Sequence, residues 1–210
     1  MISFSEVKKL RRKGNVIPLF ERTSADLDTP VSAFIKLAAT KKQTFLLESI
    51  EGGEKLARYS FLGFDPFLVI ESDGARLTEI SGKSSKRIEQ EPIEYLKELF
   101  SRYSPVSMTG LPRFTGGAVG YFAYDTIRWI EKIPDKNIEN VALPEMRLGL
   151  YSRIIVFDHL KQEIIVIANI IDQENGKPLA SQYKEGLKWI KSAVAALAKP
   201  IKAKLPVKSK

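Results

Sequence analysis

Cysteine is absent from the 210 residues and histidine occurs once. Those absences exclude a disulfide framework, a thiol nucleophile, a thiolate metal site and any multi-histidine metal centre. Long apolar runs are missing too. The longest, Ile164 to Ile171, is about half a membrane span and is interrupted by Asn169. The first thirty residues are polar or amphipathic and lack the apolar core of a secretory leader. No membrane partner is expected, and a soluble cytoplasmic protein is the expectation.

Positive charge is present in excess, 33 basic against 25 acidic side chains, for a net +8 and a pI near 9.5. Its location decides its meaning. Residues 1–13 carry a net +4 and residues 199–210 a net +5, which leaves residues 14–198 at −1. A nucleic-acid binder spreads Lys and Arg over a folded face and interleaves aromatics for stacking. That pattern is missing, so no nucleic-acid partner is expected. A hydrophobic fraction of 44% with 28% charged residues is globular composition and excludes a wholly disordered or collagen-like chain.

Local signals predict the order of elements. Phe4, Val7 and Leu10 predict a basic helix over Ser5 to Lys13, stopped by Gly14. Asn15 to Glu21 reads as an extended run in which Pro18 points to a sheet edge. Thr29-Pro30 opens a helix through Ala39. Phe45-Leu46-Leu47 reads as a buried strand and Ala57 to Gly63 as another. Ser72-Asp73-Gly74 predicts a hairpin between Pro66–Glu71 and Arg76–Ile80, and Ser81 to Glu91 reads as a mobile loop. Pro92 starts a helix with Ile93, Leu96, Leu99 and Phe100 on one side, and Gly116 to Tyr124 reads as a strand. Asp125 is placed as the cap of a short helix to about Ile130. Leu148–Phe157 and Glu163–Ile171 predict one antiparallel hairpin, and a helix follows from Leu179 to Ala198. Hairpins with helices between them predict an α+β fold with a mainly antiparallel sheet and flanking helices. The domain is placed at 1–198, with 199–210 as a basic linker or tail.

Few residues offer chemistry. His159 sits in a turn with no serine and acid arranged around it in sequence, so it reads as solvated. Glu94 and Glu98 lie on the polar side of their helix. Gly116-Gly117-Ala118-Val119-Gly120 lacks both the Lys-Ser/Thr ending of a phosphate loop and a dinucleotide spacing, so its glycines read as marks of close backbone packing. The segment Leu46 to Gly63 differs. An apolar strand ends in Glu48 and Ser49, and Gly52-Gly53 returns the chain toward Lys55, Arg58 and Tyr59. That collection could hold a zwitterion, and it could equally be a surface hairpin with ordinary ion pairs.

The Leu46–Gly63 block resembles the amino-terminal region of anthranilate synthase component I. Gly14 to Leu19, Asp28 to Phe34, and Gly116 to Tyr121 with Tyr124-Asp125 fall in that family's order, so the resemblance spans about residues 4–170. It implies the amino-terminal part of that family's fold and a complete enzyme that converts chorismate to anthranilate and pyruvate. The complete enzyme takes ammonia from a glutamine amidotransferase subunit, requires Mg2+ and is inhibited by L-tryptophan. The Leu-Leu-Glu-Ser motif implies an effector pocket at Leu47, Glu48 and Ser49, with Lys55 and Arg58 as further candidates. The complete component I is more than twice this length, with its chorismate- and Mg2+-binding residues in a carboxy-terminal region. The expectation is therefore a regulatory portion, inactive alone, with no catalytic or metal-binding residue of its own. Component I of para-aminobenzoate synthase and a free-standing amino-acid sensor are the alternatives.

Overall fold

The computed structural model describes residues 1–38, 40–48, 58–74, 76–133, 143–173 and 176–201. Among the described residues two five-stranded sheets are built from ten strands, and every pairing between these strands is antiparallel. The first sheet runs β1 (Val16–Ser24), β10 (Glu163–Ile171), β9 (Arg153–Asp158), β3 (Tyr59–Phe64) and β2 (Thr44–Leu47). The second runs β6 (Ser84–Ile88), β5 (Arg76–Ser81), β4 (Leu68–Asp73), β8 (Met146–Tyr151) and β7 (Gly117–Phe122). Helices α1 (Phe4–Leu10), α2 (Pro30–Ala38), α3 (Pro92–Ser101) and α4 (Leu179–Leu197) flank them, with a 3-10 helix at Tyr124–Trp129. The expected α+β class with antiparallel sheets is observed.

The Ile-rich β10 is central and buried on both faces, which explains why its apolar run is continuous rather than alternating. Ile164, Val166, Ala168 and Ile170 face α1, α2 and α4 in the largest core, with Leu19 and Ile190. Ile165 and Ile167 face the opposite way, toward Ile154, Val156, Phe61 and Phe114. A separate core joins α3 to the second sheet through Leu96, Leu99, Ile70, Leu77 and Leu148. Lys36 locks α2 to α4, since its ammonium lies 2.7 Å from Asp28 and donates to the Leu197 carbonyl at the end of α4. Pro18 lies in β1, an edge strand, where its missing N–H is tolerated.

Several expectations need correction. The run Leu148–Phe157 is not one strand. It bends at Ser152 and supplies β8 to one sheet and β9 to the other. Its partner bends at the same place, because β3 pairs with β9 and β4 with β8, so one antiparallel ribbon turns the corner between the sheets. Residues 81–91 are not a loop throughout. Gly82, at φ 60°, allows a two-residue turn that folds β6 back on β5 as a polar edge strand. The expected buried strand β2 lies at a sheet edge, and Leu47 is 49% exposed. Tyr95 is buried on α3, whereas Phe100 faces outward. The short helix after β7 is 3-10 in form, with Ala123 rather than Asp125 at its N-cap. Helix α1 ends at Leu10, after which Arg11 pairs with Asp172.

Candidate functional site

Strand β2 pairs with β3 in a register that sets Phe45 opposite Gly63 and Leu47 opposite Phe61. The small Gly63 has a specific reason. A Cβ there would lie 2.2 Å from Cε1 of Phe45, so the Phe45 ring occupies the space that a side chain would need. The ring also meets Tyr151 edge-on at 4.8 Å, which ties β2 to the corner of the ribbon. By strand alternation Leu47 shares the Phe45 face, and Glu48 follows at once, exposed. Ser49 and Lys55 lie outside the described residues.

Arg58 immediately precedes β3. Its Nε and Nη2 donate to the two oxygens of Asp158 at 3.0 and 2.7 Å, a bidentate pair, and its guanidinium lies over the Tyr59 ring. Asp158 is 2% exposed. Burial would push its carboxyl up, but the Arg58 hydrogen bonds, the Lys161 backbone N–H and both cationic charges hold it below its ordinary value. The hydrogen bond to Asp158 raises the Arg58 guanidinium correspondingly. The Arg58 fork is thus committed to a protein carboxylate.

His159 is not a freely solvated turn residue. Its Nε2 lies 2.7 Å from the Ser60 hydroxyl and its ring stacks on Phe157. Ser60 is 1% exposed, so no substrate reaches this hydroxyl, and the pair acts as a clip between β3 and the β9–β10 turn. The two clips hold the start of β3, one on each side of Tyr59.

A cavity of about 350 Å³ adjoins β2 where the free edges of the two sheets come together. Phe45, Val119, Tyr121 and Tyr151 give it an apolar wall, and Lys42 and Arg147 bring two cations, the latter bonded to Glu71. Gly120 makes the β7–β8 approach possible, because a Cβ there would fall 1.9 Å from the Arg147 carbonyl oxygen. Sequence reasoning missed Val119, Tyr121, Arg147 and Tyr151. They come from β7 and β8, more than 70 positions beyond β2, and only sheet pairing brings them near it. Among the described residues no three His, Cys, Asp or Glu side chains gather into a metal-binding group, so these residues do not fit a Mg2+ site.

A family model described as chorismate binding enzyme matches residues 42–208. The chain belongs to the chorismate binding enzyme family. Within this family, its similarity to the anthranilate synthase component 1 of Acetivibrio thermocellus is 41% identity over 170 residues, covering 80% of this chain and 34% of that protein. The Aquifex aeolicus component 1 is 36% identical over 198 residues, covering 93% of the chain and 39% of that protein. A crystal structure of anthranilate synthase component I from Streptococcus pneumoniae TIGR4 superposes with a TM-score of 0.56 at 26% identity, over 86% of this chain and 37% of that one. This family member therefore spans about a third to two-fifths of the length of the relatives named here. No helix among its described residues is long and apolar enough to cross a membrane.

Proposed function

We propose that this chain is the amino-terminal, effector-binding part of an anthranilate synthase component I. The complete enzyme would convert chorismate to anthranilate and pyruvate, using ammonia from a glutamine amidotransferase subunit and Mg2+ held outside the described residues. L-tryptophan would be its feedback inhibitor, bound by Leu47, Glu48, Ser49 and Lys55. Arg58 is assigned a supporting part, anchoring the start of β3 through Asp158 rather than meeting the effector. The observation that carries this reading is the cavity beside β2, which sets aromatic walls and the Lys42 cation next to the strand whose last residue is Leu47. An aromatic amino acid needs that combination: a planar apolar surface for its ring and positive charge for its carboxylate. The anthranilate synthases named above support this product over para-aminobenzoate.

Inhibition would arise from a coupling free energy between two domain arrangements, typically 1–3 kcal/mol. The test is Ser49→Phe in the complete component I. Tryptophan inhibition should weaken at least tenfold while uninhibited turnover stays near that of the parent, and superimposable inhibition curves would refute the assignment. Calorimetry of the 210-residue chain with tryptophan should show weak or no binding, because a partial pocket leaves the ring incompletely buried. Tight saturable binding would instead identify an autonomous sensor.

A further inference from the structure

The ribbon corner at Ser152 carries a second cleft, at the other end of the first sheet from Glu48 and Arg58. Along β1 the two ends are eight residues apart, Val16 to Ser24, or roughly 26 Å. Two adjoining chambers of about 280 and 270 Å³ make up the cleft, and Phe67, Ser152, Asn169 and Ile171 line both. Each is close to the roughly 300 Å³ at which small-molecule sites begin.

The chambers differ in chemistry. The first is walled by Phe67, Phe100, Tyr103 and Tyr151, with Phe67 and Tyr103 packed edge-to-face at 6.2 Å. Phe100, 42% exposed, is the outward-facing aromatic that breaks the expected pattern of α3. Gly116 keeps one wall bare, since a Cβ there would lie 2.6 Å from the Asn169 amide nitrogen and 2.7 Å from the Tyr151 carbonyl oxygen. Asn169 is fixed in turn, because its amide donates to the Thr115 and Ser152 carbonyls. The second chamber is polar and carries Arg153, Lys177 and Glu185. Glu185 is paired with Lys177 at 2.9 Å. Arg153 lies over the Trp189 ring at 5.6 Å, and the Lys177 hydrogen bond, with the charges of Lys177 and Arg153, holds the Glu185 carboxyl below its ordinary value. Two cations thus face one carboxylate beside an aromatic chamber, and only Lys177 is in salt-bridge contact with it.

We propose that this cleft binds an aryl carboxylate, with the ring in the aromatic chamber and the carboxylate on Arg153. The four aromatic walls select a planar ring, and the surplus guanidinium selects an anion and offers it a forked pair of donors. Tyr151 walls both this chamber and the cavity beside β2, whereas Phe100 and Arg153 belong to the cleft alone.

The test titrates the 210-residue protein with 3-phenylpropionate and follows backbone and side-chain amides by NMR. Saturable shifts should centre on Gly116, Gly117, Ser152 and the Asn169 side-chain amide. Acetate, which lacks the ring, and 3-phenylpropylamine, which reverses the charge, should bind at least tenfold more weakly. Arg153→Gln should weaken the acid about tenfold, as loss of a charge-assisted hydrogen bond implies, and should not weaken the amine, whose repulsion it relieves. Phe100→Ala, at an exposed position, should weaken it several-fold with the far-ultraviolet circular dichroism unchanged. Ser49→Phe should leave this affinity unaltered, so failure of either site does not decide the other. Absence of saturation by about 10 mM, equal binding of the amine, shifts confined to Arg58 and Ser60, or unchanged affinity in both variants would overturn the proposal.

Discussion

Gly63→Ala tests whether the Phe45 ring, and with it β2, is held by a space that only glycine leaves. The added Cβ would lie 2.2, 2.7 and 3.0 Å from Cε1, Cζ and Cδ1 of Phe45. Carbon atoms rest comfortably at about 3.5–4.0 Å, so the ring must retreat by more than about 1 Å. Retreat disturbs its edge-on contact with Tyr151 and the core shared with Ile154 and Val156. Overpacking of this kind costs about 1–3 kcal/mol, and replacing glycine within a strand returns roughly 0.5–1 kcal/mol. The expected net loss is about 1–2 kcal/mol, or about 2–8 °C in Tm for a chain of this size. Urea and thermal unfolding followed by circular dichroism measure both. A double-mutant cycle isolates the cause, because in a Phe45→Ala background the obstacle is gone and Gly63→Ala should stabilise by roughly 0.5–1 kcal/mol. The expected coupling is therefore the overpacking cost, about 1–3 kcal/mol. If Gly63→Ala costs the same in both backgrounds, the steric reading of this glycine is refuted.

Arg58→Ala should destabilise the fold near neutral pH, because it leaves the buried Asp158 carboxylate without its bidentate partner, and the urea midpoint at pH 7 should fall. Asp158 also sets an acid dependence. Its folded pKa is depressed, so its contribution is complete above the ordinary carboxylate value of about 3.9 and is lost as pH falls through the lower folded value. Urea midpoints between pH 7 and 2 should show this acid limb in the parent and a shallower one in Asp158→Asn, and identical slopes would rule the linkage out. His159→Ala should cost about 1–3 kcal/mol, because it strands the buried Ser60 hydroxyl. Ser60→Ala in that background should recover part of the loss, and a purely additive pair would show that the 2.7 Å contact contributes nothing.

The extent of legibility differs between elements. Helix α2 was readable because Thr29-Pro30 is a local start signal, and the β9–β10 hairpin because its β-branched residues flank a polar turn. The split at Ser152 was not readable. Both halves are apolar strand sequence, and the bend comes from which partner each half meets, β4 or β3. Strand β6 was missed because four of its five residues are exposed and polar, so periodicity carried no burial signal. At the candidate site, Leu47, Glu48 and Arg58 were visible in one short block, but the partner of Arg58 was not. Asp158 lies a hundred positions away and faces Arg58 only through the β3–β9 register.

The sequence by itself determined the absence of thiol and multi-histidine chemistry, the near-neutral body with basic ends, the α+β class and the family resemblance. Each of these is a property of residue type or local order. Only the tertiary structure decided that β2 is an edge beside an aromatic cavity, that Arg58 is engaged by Asp158, that His159 is clipped to Ser60, and that a second cleft opens at the ribbon corner. The physical reason is contact distance along the chain. Those features join side chains far apart in sequence, and their energies exist only once antiparallel pairing has fixed which strands are neighbours.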